Sequence, residues 1–187
     1  MDEYLLIKIN SSHTAFLDAF MVCVANKWTW TPYYFLLAAL LAFKFRLNSL
    51  LIFGGVAVTI TVTDVVAARL IKPAFSRLRP CHTMELHTPD GCGGAFGFVS
   101  NHAANTFALF TFLCQYFLRF SHTMRAFLIG TLLIFAFLNA YSRVYLGVHY
   151  PSDVVFGAIF GIVVALLVSF AVKKLFLRKH NLLGNGT

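Results

Sequence analysis

Three polar clusters interrupt an otherwise largely apolar chain of 187 residues, and together they contain the groups needed to hold a phosphate ester and cleave it. The clusters are Lys72…Arg79-Pro80, Ser100-Asn101-His102 and Ser142-Arg143…His149…Asp153. Ammonium and guanidinium groups bind phosphate oxygens, and arginine does so with a planar, two-pronged donor. These groups can act together only if the fold brings the clusters to one place.

The two histidines in the clusters predict a division of labour in phosphate cleavage. A neutral His149 could attack phosphorus and form a phosphohistidine if Asp153 fixed its tautomer and stabilised the charge that develops. His102 lies close to Ser100, so it could protonate the departing oxygen and afterwards activate the water that releases phosphate. This scheme requires no metal ion and no cofactor.

Anion binding is predicted where helices begin near the clusters. Ser100 and the backbone N–H groups after it lie at the start of a predicted helix, where unpaired amides and the helix dipole favour an anion. Pro151 suits the first turn of the helix that follows the third cluster. A phosphate held there would face two helix N-termini and the cations Lys72, Arg79 and Arg143.

The composition places the chain in a membrane. Hydrophobic residues make up 59% and charged residues 12% of the sequence, against about a quarter charged in soluble domains, and the mean hydropathy is +0.75. The net charge of +8 would suggest nucleic acid in a soluble protein, but here we attribute it to cytoplasmic loops and an anionic substrate. The acidic start Met1-Asp2-Glu3 does not resemble a cleavable signal peptide, so the first span is expected to target the chain.

Five stretches approach the roughly 20 apolar residues that a bilayer crossing requires. They are about Trp28 to Phe43, Leu50 to Leu70, Ala103 to Phe120, Ala126 to Tyr141 and Val154 to Val172. The preceding segment, Tyr4 to Asn26, mixes apolar and polar residues and is interpreted as an interfacial helix or helix pair, with a sixth short crossing as the alternative. The predicted fold is an all-α, integral-membrane bundle of five, or six, transmembrane helices in a single domain. Residues 1–27 are expected to be interfacial, 28–172 to form the core and 173–187 to be a basic cytoplasmic tail.

Basic residues between the spans predict the orientation. They follow the first, third and fifth spans, at Lys44, Arg46, Arg119, Arg125, Lys173, Lys174, Arg178 and Lys179. Alternating crossings put these positions on one side, which the positive-inside rule makes cytoplasmic. The three polar clusters then fall together on the extracytoplasmic, periplasmic face of the inner cell membrane.

The clusters resemble the three signature motifs of the type-2 phosphatidic acid phosphatase family, which shares its core with vanadium haloperoxidases. The first motif is matched by Lys72, Arg79 and Pro80, and the third by Ser142, Arg143, His149 and Asp153. The second, Pro-Ser-Gly-His, is half matched, because Val99 and Asn101 replace its proline and glycine. The resemblance covers roughly Val62 to Val163, and its specificity comes from the order and spacing of three motifs.

The resemblance implies a helical bundle with a phosphohistidine mechanism. It implies that His149 is the nucleophile and His102 the general acid. The phosphate ligands it implies are Lys72, Arg79, Ser100 and Arg143. Asn101 joins this phosphate-binding set, because its side chain could add a donor or alter the leaving-group preference.

Other polar residues near the span ends receive structural interpretations. Arg69 and Arg77 are expected to be anchors at the membrane surface. Asp64 lies about 12 Å along a helix from Lys72, and it is expected to bond another helix or to support the site indirectly, with the structural role favoured. Ser142 could cap a helix or orient a neighbour. The histidines given no role are His13, His82, His87, His122 and His180.

Two cysteines lie in one predicted extracytoplasmic loop. Cys81 and Cys92 could form a disulfide in an oxidising compartment, and the sequence leaves this open. The loop, from Pro80 to Gly97, is expected to border the substrate entrance.

The predicted function is metal-independent hydrolysis of a lipid phosphate or diphosphate, with a bacterial membrane as the setting. Substrates implied by the family are undecaprenyl diphosphate, phosphatidylglycerophosphate, phosphatidic acid and lipid A phosphates, and the sequence does not choose among them. The alternatives are a non-catalytic lipid-headgroup binder or transporter, or a vanadate-dependent haloperoxidase, which five apolar spans disfavour. The expected partners are the bilayer and the lipid substrate, with no nucleic acid, and the oligomeric state is not predicted.

Overall fold

The computed structural model describes the backbone of residues 1–184 and the side chains of residues 1–174. Eight α-helices run through these residues: α1 Asp2–Asn10, α2 Ala15–Ala25, α3 Thr31–Phe45, α4 Ser49–Val66, α5 Lys72–Phe75, α6 Asn101–Phe117, α7 His122–Tyr145 and α8 Pro151–Gly184. Strand pairing in the described chain is confined to an isolated bridge between Leu78 and Phe96. The predicted all-α membrane bundle is confirmed.

Within the described residues, three apolar helical segments are long enough to cross a bilayer: Lys27–Phe75, His122–Tyr145 and Pro151–Lys174. The first reverses near Arg46, which has a φ of 51°, so that α3 and α4 pack side by side. A π-helical turn, Ala67–Ile71, extends α4 into α5. The five predicted spans therefore correspond to α3, α4 with its extension, α6, α7 and α8.

The central helix is α6, which packs against α4, α7 and α8. Its approach to α8 is close because glycines of α8 face its backbone: a Cβ added at Gly157 would lie 2.6 Å from the carbonyl oxygen of Ser100. A Cβ at Gly161 would likewise collide with the carbonyl of Ala104. Small residues at helix contacts let membrane helices approach in this way. The contact brings the start of α6 against the start of α8, where two of the predicted clusters lie.

The apolar core lies between α3, α4, α6, α7 and α8. Its fully buried members include Ile52, Phe112, Phe117 and Leu132. Large apolar side chains also cover the outside of these helices, including Phe35, Phe43, Leu167 and Phe170. This distribution fits a bundle that is surrounded by lipid.

The N-terminal segment forms a helix pair, α1 and α2, that packs on α7. The side-chain amide of Asn10 donates to the carbonyls of His87, at 2.7 Å, and Tyr145, at 2.8 Å. Asp18 accepts a 2.8 Å hydrogen bond from the Tyr145 hydroxyl. The pair therefore lies at the bundle end where α7 finishes, and its placement at a membrane interface stays a prediction.

The basic residues used to predict orientation lie at the opposite end of the bundle. Lys44 and Arg46 lie at the turn from α3 to α4, and Arg119 at the turn from α6 to α7. The Lys44 ammonium lies 5.5 Å from the ring centroid of Phe120, which shows that these two turns are neighbours. Most of the predicted C-terminal tail, including Arg178 and Lys179, lies outside the residues whose side chains are described.

Candidate active site

All three predicted clusters meet at one end of the bundle. Ser100 precedes α6, and its backbone N–H donates a 3.0 Å hydrogen bond to the carbonyl of Asp153 in the first turn of α8. Arg143 lies in the last turn of α7, and its carbonyl accepts a 3.2 Å bond from the backbone N–H of His149. The loop that carries Arg79 also reaches this point, because a Cβ at Gly97 would lie 3.0 Å from the Asp153 carboxylate and 3.3 Å from Cγ of Arg79.

The centre of the cluster is His149, which is 2% exposed. Its Nδ1 lies 3.5 Å from Oδ2 of Asp153, so Nε2 is the ring nitrogen directed away from the carboxylate. Burial lowers the pKa of His149 well below its ordinary value of 6.5, and the charges of Arg79, Lys72 and Arg143 lower it further. The imidazole is therefore neutral at physiological pH, which is the form that can attack an electrophile.

The described structure leaves several buried polar atoms in the cluster without a hydrogen-bond partner: Arg79 Nε, Arg143 Nε, Ser100 Oγ, Asn101 Oδ1 and His149 Nδ1, which lies 3.5 Å from Asp153. A buried donor left unsatisfied costs about 1–3 kcal/mol. Two arginines and a hydroxyl held in this state around a neutral histidine form a site that a phosphate would complete, because its oxygens accept from each of them.

The loop between α5 and α6 is braced on both sides of Arg79. Its backbone N–H donates a 2.9 Å hydrogen bond to the carbonyl of Ala95, and Pro80 then starts a short 3-10 turn. Cys81 and Cys92 form a disulfide, with their Cα atoms 5.8 Å apart. The pairing that the sequence left open is therefore present, and it ties the two arms of the loop together.

Lys72 and Ser142 each donate a side-chain hydrogen bond to a backbone carbonyl. Lys72, the first residue of α5, donates a 3.3 Å hydrogen bond from Nζ to the carbonyl of Phe96. The Ser142 hydroxyl is fully buried and donates a 2.7 Å bond to the carbonyl of Asn139 within α7. This bond stays within α7, so the predicted capping or orienting role of Ser142 stays a prediction.

Arg77 is where the structure overturns a sequence-based expectation. Its Nη1 donates to Oδ1 of Asp153 and to Oγ of Ser152, both at 2.7 Å, and its Nη2 donates to Oδ2 of Asp2, also at 2.7 Å. The guanidinium lies 4.1 Å from the ring centroid of Tyr150. The prediction that Arg77 is a membrane-surface anchor is wrong, because a buried carboxylate offers a stronger partner than water. The sequence did not indicate these partners of Arg77, because Asp2 and Asp153 each lie about 75 positions from it along the chain.

Asp64 bonds the neighbouring helix α6. Its Oδ1 accepts 2.9 Å hydrogen bonds from the side-chain amides of Asn101 and Asn105. The bond to another helix that was expected of Asp64 is therefore present, and its indirect support of the site, through Asn101 of the second cluster, stays a prediction. This contact uses one of the two N–H groups of the Asn101 amide, so its second amide N–H and its backbone N–H, in the first turn of α6, remain as donors for an anion.

His102 faces a polar cavity of about 270 Å³. The other residues that line the cavity are Ala25, Lys27, Tyr34, Asp64, Asn101, Asn105, Thr106 and Asn139. A second, apolar cavity of about 360 Å³ lies between α3, α4 and α6. Tyr34, Asn105 and Thr106 line both, so the polar space beside His102 adjoins an apolar groove at the level of the membrane helices.

The fold and the site define an integral-membrane helical protein with a buried histidine–aspartate pair inside a cationic pocket. Residues 49–177 match the model of the PAP2 superfamily. The chain is 36% identical over 168 residues to a lipid A 4'-phosphatase of Bacteroides thetaiotaomicron, covering 86% of this chain and 72% of that protein. It is 31% identical over 186 residues to a lipid A 4'-phosphatase of Porphyromonas gingivalis, covering 95% and 73%. The chain belongs to the PAP2 superfamily, and it is a membrane phosphatase of that class.

Solved structures agree with this fold. The crystal structure of Aquifex aeolicus LpxE is similar with a TM-score of 0.67 and 27% identity, over 89% of this chain and 93% of that one. A PAP2-type phosphatidylglycerolphosphate phosphatase from Bacillus subtilis is similar with a TM-score of 0.72 and 20% identity, over 92% and 85%. At 20% identity the second likeness concerns the fold alone.

Proposed function

We propose that this phosphatase hydrolyses a phosphomonoester of a membrane glycolipid, of the lipid A 4'-phosphate type, through a phosphohistidine on His149. The observation that carries the mechanism is the buried, neutral His149 beside Asp153, surrounded by three cationic side chains. A neutral imidazole next to a fixed carboxylate is an activated nucleophile. The cations supply charge stabilisation where negative charge builds up on the transferring phosphoryl group.

The first step transfers the phosphoryl group to the protein. Arg79, Arg143 and Ser100 bind the phosphate oxygens together with Lys72 and the first backbone N–H groups of α6. Nε2 of His149 forms a bond to phosphorus while the bond from phosphorus to the alcohol oxygen breaks, and His102 gives its proton to that oxygen. The alcohol leaves toward the polar cavity.

The second step returns the protein to its starting state. His102, now neutral, takes a proton from a water molecule whose oxygen attacks phosphorus. The bond between phosphorus and Nε2 breaks, and inorganic phosphate departs. Every bond made or broken involves substrate, water and the two histidines, so the scheme requires no metal ion.

The two adjoining cavities favour a sugar-linked phosphate over the other family substrates. A substrate placed with its phosphate at His149 would lay the group next to the phosphate in the polar cavity, and the groove beyond could take an acyl chain. Sugar hydroxyls suit carboxylate and amide side chains such as Asp64, Asn105 and Asn139. A prenyl chain attached directly to phosphate would bury these groups against hydrocarbon, which is costly. The names of the two relatives point to the same substrate class.

We further place the site on the extracytoplasmic face of the inner membrane. The support is the opposite placement of the site and of the basic turns at Lys44, Arg46 and Arg119, together with the positive-inside rule. A glycolipid in the outer leaflet of that membrane could keep its acyl chains in the bilayer while its headgroup enters.

A substrate panel tests this proposal. Purified protein in detergent, with EDTA present, is incubated with a lipid A 4'-phosphate, phosphatidic acid, phosphatidylglycerophosphate and undecaprenyl diphosphate, and phosphate release is measured. We expect the highest kcat/KM for the lipid A substrate, inhibition by vanadate, and loss of release in His149→Ala. Release that persists in His149→Ala would contradict the mechanism, and a clear preference for the prenyl diphosphate would contradict the substrate class.

A further inference from the structure

We propose that helix α1 takes part in catalysis through a clamp of Asp2 and Arg77, in which Arg77 is a positioning residue that holds Asp153 against His149. The clamp consists of these two side chains and Ser152, the second residue of α8. This inference rests on the proposed role of His149 as nucleophile, and it adds residues that lie outside the three family motifs.

The first link of the clamp joins α1 to the start of α8. Oδ1 of Asp2 accepts a 2.9 Å hydrogen bond from the backbone N–H of Ser152, and Oδ2 accepts from the Ser152 hydroxyl at 2.5 Å. Asp2 thus satisfies an unpaired amide at a helix N-terminus, where a negative charge is favoured. A carboxylate from one end of the sequence fixes the turn that carries Asp153.

The second link is the guanidinium of Arg77. It donates with separate nitrogens to Asp2 and to Asp153, each at 2.7 Å, and it stacks over Tyr150. The planar fork of arginine can hold two carboxylates at fixed angles, which the single ammonium of lysine cannot. The Asp153 carboxyl is completely buried, so it needs a cation and hydrogen bonds to remain charged there.

The third link is the orientation of Asp153 itself. Arg77 binds Oδ1, while Oδ2 accepts a 3.1 Å hydrogen bond from the Tyr150 backbone N–H and faces His149. The two oxygens are therefore held from opposite sides, and the carboxylate cannot rotate without breaking one set. In the described chain the hydrogen bonds of Arg77 go to Asp2, Ser152 and Asp153, which distinguishes it from the phosphate ligands Arg79 and Arg143.

The charge state of Asp2 fits this arrangement. Burial raises its pKa, but hydrogen bonds from Ser152 and Arg77 outweigh that effect and place the pKa below the ordinary value of 3.8. Asp2 is therefore ionised at neutral pH, and the clamp is a cation between two carboxylates. Neutralising Asp2 or Asp153 changes the electrostatic environment of Arg77 and the positions of the two remaining side chains.

Four variants and a matched control test the clamp: Arg77→Gln, Arg77→Lys, Asp2→Asn, the Asp2→Asn/Arg77→Gln double variant, and Arg69→Gln. Each is assayed for kcat and KM on the substrate that the wild type hydrolyses, and for competitive inhibition by inorganic phosphate. Arg69 is an exposed arginine in the π-helical turn that precedes α5, eight residues before Arg77, so its replacement should leave all three quantities near the wild-type values. Thermal unfolding in detergent identifies any variant that does not fold.

The expected pattern is a loss in kcat without a loss in phosphate binding. Misplacing a catalytic group by about 1 Å costs about 100-fold, so we expect Arg77→Gln to lower kcat by about that factor and Asp2→Asn by about 10-fold, with KM and phosphate inhibition within about threefold. Arg77→Lys should recover part of the rate, because it keeps the charge without the fork. The double variant should be no slower than Arg77→Gln, because Asp2 acts through Arg77.

Other outcomes overturn the clamp. Wild-type kcat in Arg77→Gln, or effects of the two single changes that multiply in the double variant, would show that Asp2 does not act through Arg77. Phosphate inhibition lost together with kcat would make Arg77 a phosphate ligand. If Arg77→Gln does not fold, Asp2→Asn decides, since asparagine keeps the size of the side chain and can still accept from Ser152. Activity that survives in His149→Ala would instead contradict the proposed function, whatever the clamp variants do.

Discussion

Asp153 holds its carboxylate 3.5 Å from Nδ1 of His149, four residues earlier in the chain, across the start of helix α8. The two side chains come together because α8 begins at Pro151, between them. The Tyr150 backbone N–H also donates to the carboxylate oxygen of Asp153 that faces the imidazole. This pair leaves Nε2 as the ring nitrogen that faces away from Asp153, and the charges of Arg79 and Arg143 lie close enough to His149 to lower its pKa. The direction of that nitrogen connects the geometry to a phosphohistidine mechanism.

Replacing Asp153 by asparagine should lower kcat with little change in KM. Asparagine keeps the size of the side chain but loses the charge that stabilises the imidazole as it becomes cationic. Replacing the aspartate of the serine protease triad by asparagine lowers kcat about 10⁴-fold, and by that analogy we expect a loss of about 10³-fold here. Steady-state kinetics on purified protein measures the effect, with the exposed Glu85→Gln as the control. An unchanged kcat would mean that Asp153 serves the fold alone.

Asn101 is expected to bind phosphate through its backbone, so Asn101→Gly, which restores the family residue, should preserve phosphate binding. Asp64 holds the side-chain amide through one of its two N–H groups, and glycine keeps the backbone N–H. We expect inhibition by inorganic phosphate within about threefold of wild type, with a lower preference for the glycolipid over phosphatidic acid. A loss of phosphate inhibition beyond about tenfold would assign the phosphate contact to the side chain.

The buried His149 should make stability depend on pH. Its folded-state pKa is depressed, so below pH 6.5 the unfolded chain binds a proton that the native state does not, and stability falls as the pH drops. The slope from one such group is at most about 1.4 kcal/mol per pH unit. Thermal unfolding of wild type and His149→Gln between about pH 5 and 8 measures it, with the variant expected to lose less stability in acid. Parallel curves for the two proteins would contradict a neutral buried His149.

The disulfide should matter for activity because it braces the loop that carries both Arg77 and Arg79. Closing a loop of this size stabilises a protein by about 2–3 kcal/mol. We expect Cys81→Ser to lower the unfolding temperature and kcat/KM, and Cys23→Ser, at an exposed free cysteine, to change neither. Mass spectrometry of protein from cells should find Cys81 and Cys92 joined, which also tests the extracytoplasmic placement. Free thiols at both positions would contradict that placement.

The number and position of the membrane-spanning helices are largely predictable, because each one requires a long apolar stretch of sequence. Five such stretches and the parity of crossings are enough to place Lys72, His102 and His149 at one end of the bundle. The first family motif and the third are complete in the sequence, so the resemblance to the family, carried by the order and spacing of three motifs, points to His149 and Asp153. Local sequence carries this information because each motif lies at the end of one helix.

The contacts that escaped prediction join residues far apart in the sequence. Asp2 and Arg77 are 75 positions apart, and neither has a spacing that marks a pair. An arginine near a span end is usually a surface anchor, so residue type alone favoured the wrong role for Arg77. The sequence predicts a bond from Asp64 to another helix, but the two asparagine partners depend on how α4 packs against α6.

Trapping the phosphoprotein tests the role of His149 most directly. Wild type and the His102→Ala and His149→Ala variants are mixed with a radiolabelled aryl phosphate ester, quenched within milliseconds to seconds, and analysed for a label that is stable in base and labile in acid. An aryl leaving group departs without a proton, so His102→Ala should form the phosphohistidine and then retain it, because the water lacks its base. We predict label at His149 in wild type, more in His102→Ala and none in His149→Ala. Label that remains in His149→Ala, or no label in either of the other proteins, would contradict His149 as the nucleophile.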